Sequence, residues 1–134
     1  MLVTHLLCRE IVLRAILKAG WLDENGKITA SAFIRDAKRD PDGLSVNIQA
    51  LTEIEGWLSA SFNKSFGADT LHSGRIRGLQ LEIGQTEADL KAMAGHGLIV
   101  GLPTPEEDPK RAEDLATELR NISRMIDRRR RKKA

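Results

Sequence analysis

The sequence has no tyrosine, a single cysteine and few aromatic residues, which make up 4% of its 134 positions. With Cys8 alone, no internal disulfide can form and a thiolate metal site is not expected, which fits a reducing compartment. The longest apolar stretch runs from Ile11 to Leu17, is interrupted by Arg14, and is too short to span a bilayer. These absences exclude a disulfide-stapled scaffold and argue against a membrane protein.

The first twenty residues lack the charged start, the unbroken apolar run and the small-residue cleavage site of a signal peptide. We therefore expect a cytoplasmic protein with no membrane contact. Glycine-rich phosphate loops, His-x-x-x-His pairs and serine elbows are also missing from the sequence. No cofactor and no metal site is expected.

The charge of the chain is divided unevenly along it. Seven cations and one acid lie between Arg124 and Ala134, so this segment carries +6 and all the other residues together carry −4. The net charge of +2 therefore hides an acidic body and a basic end. Any function that depends on positive charge is predicted to involve the C-terminal segment.

Periodicity and turn signals predict an α+β protein. Apolar residues at spacings of three and four predict helices over 4–19, 52–67 and 109–126, and a shorter helix over 86–93. Alternating apolar residues predict strands over 44–48, 75–83 and 96–102, whereas 27–36 suits a strand and a short helix equally well. We expect one domain over residues 1–127, with three or four strands packed with three main helices, and a basic tail over 128–134.

Capping residues support the helix assignments. Thr52 and Thr86 are each followed three residues later by an acid, the spacing of a capping box. Asp108 precedes Pro109, an arrangement favoured at a helix start, and a long apolar stripe follows. This stripe predicts a long amphipathic C-terminal helix made of Ala112, Leu115, Ala116, Leu119, Ile122, Met125 and Ile126.

The segment from His72 to Arg77 is the first candidate for chemistry. A histidine, a serine, a glycine and two arginines lie within six residues, and arginine forks match the geometry of phosphate. Arg75 and Arg77 are therefore candidate anion-binding residues, with His72 as a candidate catalyst. The alternative is a polar loop whose arginines are solvated or paired with Glu82.

His96 lies between two glycines at the start of a predicted strand. Together with His72 it would suit proton transfer near neutral pH, and Ser45 would line the pocket. The alternative is a histidine at a loop end that is hydrogen-bonded to the backbone. His72, His96 and Ser45 are thus the candidate catalytic residues.

The basic end of the chain is the third candidate. A block of cations can neutralise phosphates and release counterions, which gives affinity without sequence specificity. It could instead bind an acidic partner or be a solvated end, and the acidic body argues against a broad nucleic-acid footprint. The residues concerned are Arg124, Arg128, Arg129, Arg130, Arg131, Lys132 and Lys133.

Three stretches of the chain resemble a pattern found in small bacterial single-domain proteins: Gly26–Val46, Leu71–Arg77 and His96–Pro103. The shared residues include Asp42-Gly43-Leu44-Ser45-Val46 and His72-Ser73-Gly74-Arg75-Ile76-Arg77. No established activity is associated with the pattern. The resemblance implies a bacterial or phage origin and one domain, and it supplies no catalytic residue.

Two functions from different classes follow from the sequence. The first is a non-enzymatic binding or accessory module that engages a protein partner, with a basic tail that contacts nucleic acid or an acidic surface. The alternative is a small enzyme for a phosphate-bearing or nucleotide substrate, acting through His72, Arg75, Arg77 and His96. The enzyme requires these side chains to share one cleft. The sequence leaves the oligomeric state open.

Overall fold

The computed structural model describes residues 2–52, 67–92 and 95–127, without the side chains of Ile126 and Asp127. Within these residues the chain forms one antiparallel sheet in the order β1-β5-β6-β3-β2-β4-β7. The strands are β1 (Thr4–His5), β2 (Ile11–Ala15), β3 (Leu44–Ile48), β4 (Ala68–His72), β5 (Glu82–Gln85), β6 (His96–Val100) and β7 (Arg124–Asp127). The α+β class is therefore confirmed, but the prediction of three or four strands is wrong.

Three α-helices and three short 3-10 helices accompany the sheet in the described residues. The α-helices are α1 (Ser73–Gly78), α2 (Glu87–Ala92) and α3 (Pro109–Ile122). The 3-10 helices are Ala19–Trp21, Ala30–Phe33 and Gln49–Leu51. The helix predicted over 52–67 and the tail over 128–134 lie outside the described residues, apart from Thr52 and Gly67.

The first segment is not the predicted helix but β1 and β2. β2 is buried along nearly its whole length, so its side chains do not show the alternation of a half-buried strand. Val12 and Ile16 belong to the hydrophobic core, while Leu13 projects from the other face of the sheet. A short apolar run buried on both faces cannot be told from a helix by periodicity, which explains the error.

The strand predicted over 75–83 is also wrong, except for its last two residues. Residues Ser73–Gly78 form α1, which buries Ile76, and the strand begins only at Glu82. Between them the chain reverses at Gln80, whose φ of 68° lies in the left-handed region.

Several predictions that rested on local signals are confirmed in the described residues. β3 lies over 44–48 as predicted, and β6 covers 96–100 of the strand predicted over 96–102. The 27–36 segment, which suited a strand and a short helix equally well, contains a short 3-10 helix. The amide of Thr86 donates to Asp89 at 2.9 Å, and the amide of Asp89 donates to the Thr86 hydroxyl at 3.1 Å, which is a complete capping box for α2. Asp108 caps α3 by accepting from the Arg111 amide at 3.1 Å.

The C-terminal helix is shorter than predicted. α3 ends at Ile122, and Arg124–Asp127 pairs with β4 instead of continuing the apolar stripe. Met125 lies opposite Asp69 in this pairing. The edge of β4 offers unpaired backbone groups, and hydrogen bonds to that edge replace those of a further helical turn.

The core lies between one face of the sheet and α3, which packs on the 3-10 helix at Ala30–Phe33 and on β4. Leu115, Ala116 and Leu119 supply the buried face of α3. Further core side chains come from the strands and the connections, among them Val12, Ile16, Phe33, Leu44, Ile48, Leu71, Ile83 and Ile99.

Truncation of Leu119 tests this packing. Leu119 is 0% exposed, so Leu119→Ala is expected to lower the free energy of unfolding by about 2–5 kcal/mol, as for other core leucines. Leu90 in α2 is 42% exposed, and Leu90→Ala is the matched control, expected to cost less than about 1 kcal/mol. Equal losses in urea titrations of the two variants would contradict the described packing of α3.

Candidate functional site

A cavity of about 590 Å³ lies beside β4, where α1, the end of α3 and the start of β7 meet. We call it the basic cavity. Its lining residues are Cys8, Thr70, His72, Gly74, Arg75, Asn121, Ile122, Ser123 and Arg124. The basic cavity therefore contains His72 and Arg75 from the predicted anion-binding segment and Arg124 from the basic end of the chain.

Backbone contacts between the β1–β2 connection and α1 build one wall of this cavity. The Ser73 amide donates to the Glu10 carbonyl at 2.9 Å, and the Gly74 amide donates to the Cys8 carbonyl at 2.9 Å. A Cβ atom at Gly74 would lie 3.1 Å from the Cys8 carbonyl oxygen, so a larger residue would push the two segments apart. Glycine at position 74 thus allows α1, which carries Arg75, to lie against the backbone of Cys8.

The basic cavity is electropositive. Arg75 and Arg124 are exposed, and neither guanidinium group forms an ion pair or hydrogen bond with another described residue. The backbone carbonyl of Arg124 accepts from the Thr70 hydroxyl at 2.8 Å. No acidic side chain is among the lining residues, while Thr70, Asn121 and Ser123 add polar groups. Two unpaired guanidinium groups beside neutral polar side chains match the chemistry of a phosphate or another oxyanion.

Arg77 does not line this cavity. Its guanidinium lies 3.4 Å from Glu82 Oε1 and 3.4 Å from the Ile83 carbonyl, and it approaches Cys8 Sγ at 3.8 Å. These contacts tie α1 to β5 and correspond to the alternative in which an arginine of this segment pairs with Glu82. Arg77 therefore links α1 to β5 in the described residues.

Ser45 and His96 line a second cavity, of about 260 Å³, between β2 and β3. His96 Nδ1 lies 2.6 Å from Asp89 Oδ1, and the His96 carbonyl accepts from Gln85 Nε2 at 2.9 Å. Burial alone would raise the pKa of Asp89, but hydrogen bonds from the Thr86 amide and His96 outweigh it and lower that pKa. Asp89 is thus an ionised partner that orients the His96 ring.

The sequence-predicted residues are divided between two places. His72 and Arg75 share the basic cavity, whereas Ser45 and His96 share the second cavity, and Arg77 lines neither. Within the described residues, the convergence of His72, Arg75, His96 and Ser45 that the enzyme alternative requires is not present. Residues 128–133 lie outside the described part of the chain.

Both cavities nevertheless include residues from one row across the sheet. Direct cross-strand pairing places Arg124 opposite Thr70, Thr70 opposite Leu13, and Leu13 opposite Asn47, which in turn pairs with His96. Direct partners project from the same face, so this row runs across five strands. Its first two residues line the basic cavity and its last three line the second cavity.

Sequence reasoning missed three buried charged residues near these cavities: Arg14, Asp40 and Asp69. Arg14 gave a signal, because it interrupts an apolar run that is otherwise typical of a core element. Asp69 lies opposite Arg14 across β2 and β4, yet no ion pair joins the two side chains. Nothing in the sequence around Asp69 indicates its burial.

Asp69 is buried, and no other described residue forms a well-formed hydrogen bond to either of its carboxylate oxygens. Burial is the largest influence and raises its pKa to about 6, against a smaller lowering by the nearby Ser123 hydroxyl and Thr70 amide. The Ser123 hydroxyl instead donates to the Arg120 carbonyl at 2.9 Å. A charge on Asp69 therefore destabilises the region where β4, α3 and β7 meet.

Comparisons with protein-family models, curated proteins and solved structures find no match to this chain. Among the residues that the structure describes, no group of three histidine, cysteine or acidic side chains could hold a metal ion. The helices in that part of the chain are too short or too polar to cross a membrane. The two cavities are therefore the features of the described residues that point to a function.

The pH dependence of stability tests the state of Asp69. Because its pKa is raised on folding, stability falls as pH rises from about 4 through 6, and the loss is complete above pH 6. Asp69→Asn should therefore match the wild type at pH 4 and exceed its free energy of unfolding by about 1–3 kcal/mol at pH 7.5.

The exposed residue Asp42 supplies the control. Asp42→Asn removes the same charge from the surface and should change the free energy of unfolding little at either pH. Urea titrations of both variants at pH 4, 6 and 7.5 measure the difference. A destabilised Asp69→Asn at pH 7.5 would show that the carboxylate has a partner and that its burial is not costly.

Proposed function

We propose that this protein is a non-enzymatic nucleic-acid-binding accessory module, in which the basic cavity holds the phosphate backbone and the C-terminal tail extends the contact. The observation that carries the proposal is a cavity lined by two unpaired arginines and a histidine, with no acidic lining residue. Arginine pairs of this kind bind phosphate bidentately, and such contacts position a nucleic acid without reading its sequence.

The location of β7 supports a polymeric ligand over a small anion. Arg124 begins β7 at the cavity, and six further cations follow Asp127 in the sequence. Arg124 and the cations of the tail are therefore parts of one continuous chain segment, which starts beside Arg75 in the cavity. A ligand that engages both must carry several negative charges in sequence, as a nucleic-acid backbone does.

The acidic remainder of the chain limits the footprint. Residues 1–123 carry a formal charge of −4, so long-range attraction to nucleic acid comes from the C-terminal segment. We therefore expect weak binding that is indifferent to sequence and strongly dependent on salt. A protein partner that adds affinity or specificity is consistent with this division of charge.

Binding to a fluorescent 20-nucleotide duplex at several salt concentrations tests the proposal. A chain that neutralises about five to seven phosphates should give a log–log salt slope of about −5 to −6. Deletion of residues 128–134 removes six cations and should reduce the slope to about −1 to −2, with at least about tenfold weaker binding at 100 mM salt.

The contribution of the cavity is tested separately. The double variant Arg75→Gln with Arg124→Gln should reduce the slope by about 2 in the full-length chain. The double variant Lys110→Gln with Arg111→Gln is the matched control: it removes the same charge from the exposed first turn of α3, outside the cavity lining. It should change the slope by less than about 0.5.

Cys8 reports directly on the cavity because it is free, exposed and among the lining residues. Bound duplex should slow its reaction with a maleimide in the full-length chain and, at saturation in low salt, in the truncated chain. If the two double variants changed the salt slope equally, binding would depend only on net charge, and the cavity would not be part of the binding site. Binding to polyglutamate but not to DNA or RNA would replace nucleic acid by an acidic protein partner.

A further inference from the structure

A cleft opens in the sheet where β2 separates from β3. All five residues of β2 pair with β4, but only Val12 and Leu13 pair with β3. The second cavity of about 260 Å³ lies at this separation, and we call it the β2–β3 cleft. Its lining residues are Leu13, Arg14, Ala15, Leu17, Arg39, Asp40, Ser45, Val46, Asn47 and His96.

Arg14 spans the separation with its guanidinium group. Nε donates to the Ala32 carbonyl at 2.9 Å, and Nη1 donates to the Ser45 carbonyl at 2.9 Å. The side chain is buried, with 4% exposure of the residue, and Nη2 has no hydrogen-bond partner among the described residues. A buried guanidinium that meets only neutral carbonyls lacks the anion that normally compensates such a charge.

A second cation lies close to the first. The guanidinium carbons of Arg14 and Arg39 lie 5.1 and 5.7 Å from the centroid of the Trp21 ring. Asp40 is buried beside them, and its Oδ2 lies 3.5 Å from Arg39 Nε. Arg14, Arg39 and Asp40 thus form a cluster of two cations and one carboxylate in the lining of the cleft.

The pKa of Arg14 reflects its burial and these neighbouring charges. Burial lowers its pKa to about 10, Asp40 raises it only in part, and Arg39 lowers it further. An anionic group in the cleft would stabilise both arginines. The remaining lining is largely apolar, with Leu13, Ala15, Leu17 and Val46 around the polar groups.

We propose that the β2–β3 cleft binds a small organic monocarboxylate, whose carboxylate binds Arg39 next to the buried Arg14 and whose apolar body contacts Leu13, Ala15, Leu17 and Val46. Arginine forks favour carboxylates, and a mainly apolar lining with a few convergent polar groups is the usual form of a small-molecule site. A volume of about 260 Å³ is just under the range of drug-sized sites and fits a ligand of about ten non-hydrogen atoms.

Benzoate and hexanoate are suitable probes, with benzamide and hexanol as neutral counterparts of similar size. The acids at 10 mM should raise the melting temperature in a saturable way, and the neutral compounds should have little effect. Resonances of Arg14 Nε and the Trp21 indole should shift in parallel in ¹H–¹⁵N spectra. This parallel shift assigns the binding to the cleft and not to the basic cavity.

Two matched substitutions distinguish a ligand site from a structural cluster. Arg39 is 42% exposed in its side chain, so Arg39→Gln should fold and should weaken benzoate binding by about fivefold or more. Lys38→Gln removes the same charge from the neighbouring exposed residue, which does not line the cleft, and should leave the affinity within about twofold. Asp40→Asn removes the competing carboxylate and should strengthen binding.

Several results would overturn the proposal. Equal binding of the neutral compounds would make the cleft an apolar cavity without an anion site. Equal loss in the Arg39 and Lys38 variants would make the effect one of net charge. The absence of any saturable shift with either acid would mean that the cleft holds water only, whether or not the protein binds nucleic acid.

Discussion

The guanidinium of Arg14 connects three parts of the chain at the point where the pairing of β2 with β3 ends. From the middle of β2 it binds the carbonyl of Ala32 in a 3-10 helix and the carbonyl of Ser45 in β3, and it packs on Trp21. The 3-10 helix at Ala30–Phe33 is in turn the surface on which α3 packs. The Arg14 side chain thus supplies a hydrogen bond between β2 and β3 where the ladder between these strands ends. Its second hydrogen bond holds the 3-10 helix on which α3 packs. Burial of Arg14 is unfavourable because its Nη2 atom has no hydrogen-bond partner among the described residues. The Asp69 carboxylate likewise has no well-formed hydrogen bond to a described residue.

The sheet carries two cavities of different character. The basic cavity is wide, has exposed arginines and continues into the cationic end of the chain, which suits a flexible polyanion. The β2–β3 cleft is smaller and its arginine is buried, which suits one compact anion. A buried charge interacts more strongly than an exposed one because the local dielectric is lower and salt screens it less. The two sites therefore differ in their expected salt dependence, although both present arginine.

Several features of the candidate sites could be inferred from the sequence, and others could not. His72 and Arg75 lie close together because they are three residues apart, and Arg124 belongs to a visible block of positive charge. Their meeting with Cys8 and Asn121 depends on the pairing of β4 with β2 and β7, which no local pattern specifies. The pairing of Asp89 with His96 likewise needs α2 and β6 to pack side by side. The cleft was missed because a lone arginine in an apolar run indicates burial but not its partners.

The sequence by itself determined the elements whose signals are local: the alternation of β3 and β6, the capping box of α2, the capped start of α3 and the separation of an acidic body from a basic end. Hydrogen bonds and side-chain contacts within a few residues are sufficient for these features. Tertiary structure decided that Ile11–Ala15 is a strand, that α3 stops at Ile122 and that Arg124–Asp127 joins the sheet. A strand obtains its hydrogen bonds from other segments, so its existence depends on which edges the rest of the chain leaves open. The separation of β2 from β3, and with it the cleft at Arg14, is a property of that assembly alone.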